Sequence, residues 1–191
     1  MAAEQVGDLL GFIHEAEGVK TLLRHSWLSD GRPESVAEHS WRLGLMTMVI
    51  APQLETPIDI GRAMRMAAIH DLGEVYAGDH HAFNTRPTNH QENERAGLAK
   101  IVRRLPDALG SDIMALWEEF EAGETPEARL VKALDKVEVL IQHNEADIST
   151  WNEKERDTNF NLVYGDEQCS YSDLLCRLKE EVRRETKHKL A

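Results

Sequence analysis

Apolar residues recur at helical spacing along most of the chain, and two-residue alternation is nearly absent. The clearest run is "EARLVKALDKVEVLIQHNEADI", with apolar side chains at 130, 131, 134, 137, 141 and 148. Thr125-Pro126-Glu127 marks its start: a capping residue, a proline at the first helical position and an acid in the first turn. Thr56-Pro57-Ile58-Asp59 has the same form and predicts a helix carrying Ile60, Ala63, Met64, Ala67, Ala68 and Ile69 toward His70 and Asp71. Ser35-Val-Ala-Glu38 has the form of a capping box and predicts a helix through "HSWRLGLMTMVIA" to Pro52. Further helices are expected over 3–17, 89–104, 107–121 and 171–188, with turns at 85–89 and 121–127 and a loop closing at 30–33. Met46, Met48, Met64, Met66, Trp41 and Trp117 read as core packing. With no repeat, low-complexity tract or linker, the pattern predicts one all-α domain over 1–191, built from about six to eight helices.

Composition narrows the partners. A net charge of −12 opposes general nucleic-acid binding, which draws its affinity from phosphate neutralisation. The most basic stretch, "RRETKHKLA", carries no aromatic residue and reads as a solvated helix end. An anionic substrate therefore needs a few local cations acting against the global field. No run approaches 18 uninterrupted apolar residues, and the N-terminus lacks a basic n-region, so neither a membrane span nor a secretory signal is expected. Cys169 and Cys176 are seven apart, about 10 Å along a helix, too far to bridge within one. They read as reduced thiols of a cytoplasmic protein.

The polar residues that interrupt this pattern carry the candidate chemistry. His70-Asp71 ends an apolar helix, His39 falls in the first turns of another, and Asp135 breaks the apolar run "LVKALDKVEVLI". A carboxylate there must reach solvent, pair, or ligate a cation. Two imidazoles and two carboxylates from three helices suit a divalent metal with positions left for water and substrate. Ordinary hydrogen bonds for each histidine, with Lys132 or Lys136 beside Asp135, account for the same residues, and spacing alone leaves both assignments open.

The wording around these residues adds a resemblance. "RPESVAEHSWRLGLM", "AAIHDLGEVYAGD" and "VKALDKVEVLIQHNEADISTW", in that order over residues 20–151, are similar to the HD-domain metal-dependent phosphohydrolase superfamily, and within it to the 5′-deoxynucleotidase (YfbR-like) group. The resemblance implies that His39, His70, Asp71 and Asp135 hold one divalent ion, with Mn, Co, Mg or Fe as candidates. It implies hydrolysis of a nucleoside 5′-monophosphate and a homodimer. Glu74 is assigned to orienting or deprotonating the attacking water, and Asp79, which matches the family's Gly-Asp, to the sugar or the leaving-group proton. Arg24 matches a phosphate-binding arginine. His25 stands where some members carry tryptophan, so deoxyribose selectivity does not transfer at that position.

Other features read more plainly. His80, His81 and His90 are set down as solvated loop rather than a second ion site, and His143 and Asp147 as surface. Glu119 and Glu121 read as a charged helix end, and Arg32 and Arg42 as structural. Two other classes compete with a phosphomonoesterase. One is another HD-type reaction: phosphodiester or (p)ppGpp hydrolysis, or diiron oxygenation. The other is a helical protein that binds metal and nucleotide without turnover.

Overall fold

The computed structural model describes residues 3–84 and 87–191. Helix α1 (Ala3–Ala16) and the single turn α2 (Gly18–Thr21) precede a small antiparallel hairpin, β1 (Leu23–Trp27) against β2 (Pro33–Ser35). Then come α3 (Val36–Ile50), α4 (Ile60–Ile69), the short α5 (Glu74–Ala77), α6 (His90–Val102), α7 (Asp107–Ala122) and α8 (Pro126–Glu145). Three single turns, α9 (Glu153–Arg156), α10 (Thr158–Asn161) and α11 (Asp166–Cys169), lead into α12 (Asp173–Leu190). Among the described residues seven helices reach ten residues or more: α1, α3, α4, α6, α7, α8 and α12. This is the all-α class the apolar spacing predicts.

α8 is the central element. Leu130, Val131, Leu134, Val137 and Leu140 are buried as it packs against α3, α4, α7 and α12. Each such side chain contributes about 1.5–3 kcal/mol. Its start follows the sequence signal, with Thr125 accepting from the backbone of Ala128. The capping box of α3 also forms: Ser35 Oγ accepts from Glu38 N, and the Glu38 carboxylate accepts from Ser35 N at 2.9 Å. α4 differs from expectation. It starts at Ile60, capped by Asp59 rather than Thr56, because the Asp59 carboxylate is the group that accepts from Arg62 N.

Three other expectations change. The hairpin was hidden because its inward residues are polar: Ser26 and Glu34 are buried and Arg24 is half-buried, so no apolar alternation marks the strands. Trp41, Met48 and Met64 are exposed, whereas Met66 and Trp117 are core. Cys169 and Cys176 are both free but lie on different helices, α11 and α12. The turn at 85–89 lies partly outside the described residues, which omit 85 and 86.

Two glycines let α5 and α6 come together beside the His70-Asp71 turn. A Cβ on Gly97 would collide with the carbonyl of Gly73, and one on Gly73 with the carbonyl of Glu94. Gly97→Ala must therefore push backbone apart, and it is expected to cost about 1–3 kcal/mol despite alanine's better helix propensity. Urea unfolding measures this; a stabilised variant would mean the two backbones are not in contact.

Candidate functional site

His39 sits one turn into α3 and is fully buried; His70 caps α4 and is 3 % exposed. α4 does not run on past the doublet. Residues 70–73 form a turn, and α5 then starts at Glu74, so Glu74 reaches the site from a separate helix. Asp135 projects from the middle of α8. The four side chains converge: His70 Nε2 is 3.3 Å from His39 Nε2 and 3.0 Å from Asp71 Oδ2, and His39 Nε2 is 3.2 Å from Asp135 Oδ1 and 3.7 Å from Asp71 Oδ2.

The opposite edge of each imidazole is engaged. His39 Nδ1 donates to Glu138 Oε2 at 2.5 Å, and His70 Nδ1 donates to the Ala67 carbonyl at 2.9 Å. Both rings therefore turn Nε2 inward, and the fit for a cation rests on this donor chemistry: two imidazole nitrogens and two carboxylates face one buried point. Burial and Arg24 push the His39 imidazolium down, but Glu138 and Asp135 outweigh them and raise it to about 10. Burial works against the charge of Asp135, yet Lys136 and His39 hold its carboxyl well below the usual range. Lys136 Nζ is 2.7 Å from Asp135 Oδ2, so the lysine partner and the convergence with histidine coexist.

Arg24, on β1, reaches the same point. Its Nη1 is 3.2 Å from Asp71 Oδ2 and 3.4 Å from Asp79 Oδ1, and its Nε is 3.5 Å from Glu34 Oε2. Burial opposes its charge, but Asp71 and Asp79 raise its pKa further above the ordinary arginine value. Gly78 precedes Asp79 at φ 83, a conformation open to glycine, and so turns the chain back toward Arg24. Glu74 is buried, and its Oε2 has no hydrogen-bond partner. Burial, followed by Asp71 and Asp79, pushes its carboxyl up to about 11.

These groups border a cavity of about 340 Å³. Its lining includes Arg24, Asp71, Glu74, Asp79 and Asp135, together with Phe120, Glu121, Lys132, Lys136, Tyr164 and Gln168. Phe120, Tyr164 and Gln168 carry no signal in the sequence, because α7 and the 164–168 segment approach only in the folded chain, whereas Lys132 and Lys136 share α8 with Asp135. Glu138 also escaped notice, although it follows Asp135 by three residues and so shares its helix face. Glu119, rather than ending a helix idly, binds Arg62, and Arg32 pairs with Glu38.

The remaining histidines need correction. His81 and His143 are not solvated. His81 Nε2, His25 Nε2 and His143 Nε2 lie 3.2, 3.4 and 3.5 Å from Glu155 Oε1, a buried carboxylate. His143 is itself buried, which pushes its pKa down to about 4. His80 is half-buried and stacks obliquely on His90, with ring centroids 5.2 Å apart. His25, exposed on β1 next to Arg24, has its ring centroid 4.2 Å from that of His81. Asp147 caps a short 3₁₀ turn.

A His-Asp doublet after one helix, a histidine from the helix before it and an aspartate within a later one define a known class. The HD-domain family model matches residues 16–173, and the chain belongs to that family, in the group that holds the 5′-deoxynucleotidases. Its curated relatives include 5′-deoxynucleotidase HDDC2 of Danio rerio, 33% identical over 141 residues that span 72% of this chain and 69% of the relative. The HDDC2 protein of Dictyostelium discoideum is 34% identical over 146 residues, 72% of this chain and 76% of the relative. Among solved structures, a predicted metal-dependent phosphohydrolase from Magnetospirillum magnetotacticum is 29% identical with a TM-score of 0.83, covering 97% of this chain and 94% of that one.

Proposed function

We propose that this chain is a metal-dependent 5′-deoxynucleotidase that hydrolyses (deoxy)nucleoside 5′-monophosphates to nucleoside and phosphate. The observation that carries the reading is the convergence of two inward-facing Nε2 atoms and two carboxylates beside the half-buried Arg24. His39, His70, Asp71 and Asp135 hold the ion in this proposal. Mixed nitrogen and oxygen donors favour Mn²⁺, Co²⁺ or Fe²⁺ over Mg²⁺, which prefers oxygen. When bound, the ion supplies Lewis acidity, polarising the phosphoryl group and making water more acidic.

The chain's own groups do the rest. Arg24 binds phosphate oxygens, its guanidinium offering two parallel N–H donors. Glu74 Oε2, the partnerless buried oxygen, orients the attacking water and takes its proton. Burial and the neighbouring Asp71 and Asp79 raise its carboxyl, and a cation beside Asp71 would lower it again. The water oxygen forms the new P–O bond, the bond to the 5′-oxygen breaks, and Asp79 manages the proton that ends on the 5′-oxygen. His25 meets the sugar from the rim, and the nucleoside lies toward Tyr164 and Gln168. A cytoplasmic homodimer belongs to the same proposal: the free cysteines support the compartment, and the family resemblance supports the dimer. No described helix is long and apolar enough to cross a membrane.

A phosphate-release panel of nucleoside and deoxynucleoside 5′-monophosphates, crossed with Mn²⁺, Co²⁺ and Mg²⁺, tests the reading. Release from 5′-monophosphates in the presence of metal is expected. Failure to release phosphate from any mononucleotide with any of the ions would overturn it.

A further inference from the structure

His39 belongs to two clusters of metal-ligand type. On its Nε2 side are His70 and Asp135; on its Nδ1 side are Glu34 and Glu138. The Nδ1 side is already occupied by protein. Glu138 is fully buried, accepts the hydrogen bond from His39 Nδ1 on Oε2, and accepts from Arg42 Nε on Oε1 at 2.7 Å. The same guanidinium binds Glu145 at 2.6 Å and the Gln142 side-chain oxygen, and Gln142 in turn donates to the Trp27 carbonyl at 2.6 Å.

The spacing is reciprocal. His39 and Arg42 are one turn apart on α3, and Asp135 and Glu138 one turn apart on α8, so the two crossing helices lock each other in register. We propose that Glu138, clamped by Arg42, is a positioning residue that fixes His39 with Nδ1 protonated and the Nε2 lone pair directed at the metal. A ring so held loses little freedom on binding, and the carboxylate makes it a stronger donor. The inference rests on the assignment of His39 as a metal ligand and not on turnover, so it is tested without substrate.

Mn²⁺ affinity of the full chain, measured by calorimetry, is expected to fall about 10–100-fold in Glu138→Gln. Glu145→Gln, at the far end of the guanidinium, is expected to stay within about threefold, a change too small to reflect a tenfold step of binding energy. Glu138→Asp restores the charge and is expected to recover part of the loss. Unchanged affinity in Glu138→Gln would overturn the proposal, as would a loss of melting temperature in the metal-free protein with no loss of affinity. Should the variant not fold, long-range ¹H–¹⁵N spectra of the Zn²⁺-loaded wild type decide. A His39 signal with protonated Nδ1 is expected; a bare Nδ1 with protonated Nε2 would overturn the assignment. Wild-type protein that binds Mn²⁺ in this way but releases no phosphate would sink the proposed activity and leave this inference standing.

Discussion

Asp71→Ala is expected to lower phosphate release at least about a thousandfold at saturating Mn²⁺, a loss of about 4 kcal/mol of transition-state stabilisation. Asp71 lies beside both histidines and Arg24. Its Oδ2 lies 3.0 Å from His70 Nε2, 3.7 Å from His39 Nε2 and 3.2 Å from Arg24 Nη1. Removing it takes away a candidate ligand and leaves the Arg24 charge beside the ion with less compensation. Both effects weaken metal binding, so activity should fall further at limiting metal than at saturation. Arg24 keeps Asp79 and Glu34 as partners, and the helical circular dichroism of the variant should remain that of the wild type. A folded variant with more than about a tenth of wild-type activity, less than 1.4 kcal/mol lost, would remove Asp71 from the centre.

Trp117→Ala carries the largest expected effect on stability, about 3–5 kcal/mol. The indole is 1 % exposed, and packs in the cluster of Leu72, Leu98, Ile101, Val102 and Leu105 beneath the site. Its Nε1 donates to the carbonyl of His70 at 3.0 Å, so the core residue also fixes the backbone of the doublet. The loss would be a large share of a typical total of about 5–15 kcal/mol. Trp117→Phe keeps much of the volume but strands a buried carbonyl, for about 1–3 kcal/mol. Urea denaturation followed by circular dichroism reads both. A cost under about 1 kcal/mol for the alanine variant would contradict the packing of α7 against the His70 turn.

The helical scaffold was legible because apolar periodicity and cap chemistry are local. Ser35 with Glu38, and Thr125 with Pro126, act within one turn, and both helices begin where those residues place them. The convergence of His39, His70, Asp71 and Asp135 was open to view only through the family resemblance, since nothing in their spacing requires four residues spread over nearly a hundred positions to meet. The hairpin carries no period-two apolar signal because its inward side chains, Arg24, Ser26 and Glu34, are polar, and Arg24 lines the cavity. Thr56 was displaced as a cap by Asp59, a competing acceptor three residues on. His81 and His143 were misjudged because their partner, Glu155, is remote in sequence and brings them together only after folding. The signal for Glu138 is its three-residue spacing from Asp135, which sets both on one face of α8.

The central claim is that His39, His70, Asp71 and Asp135 hold a divalent ion on which the chemistry depends. The most direct test is elemental analysis of bound metal in wild type and Asp135→Ala after dialysis against Mn²⁺, with phosphate release from the same samples. The account predicts bound metal in the wild type, its loss in the variant, and loss of activity along with it. Metal retained in full by folded Asp135→Ala, or phosphate release undiminished in chelator-treated wild type, would contradict it.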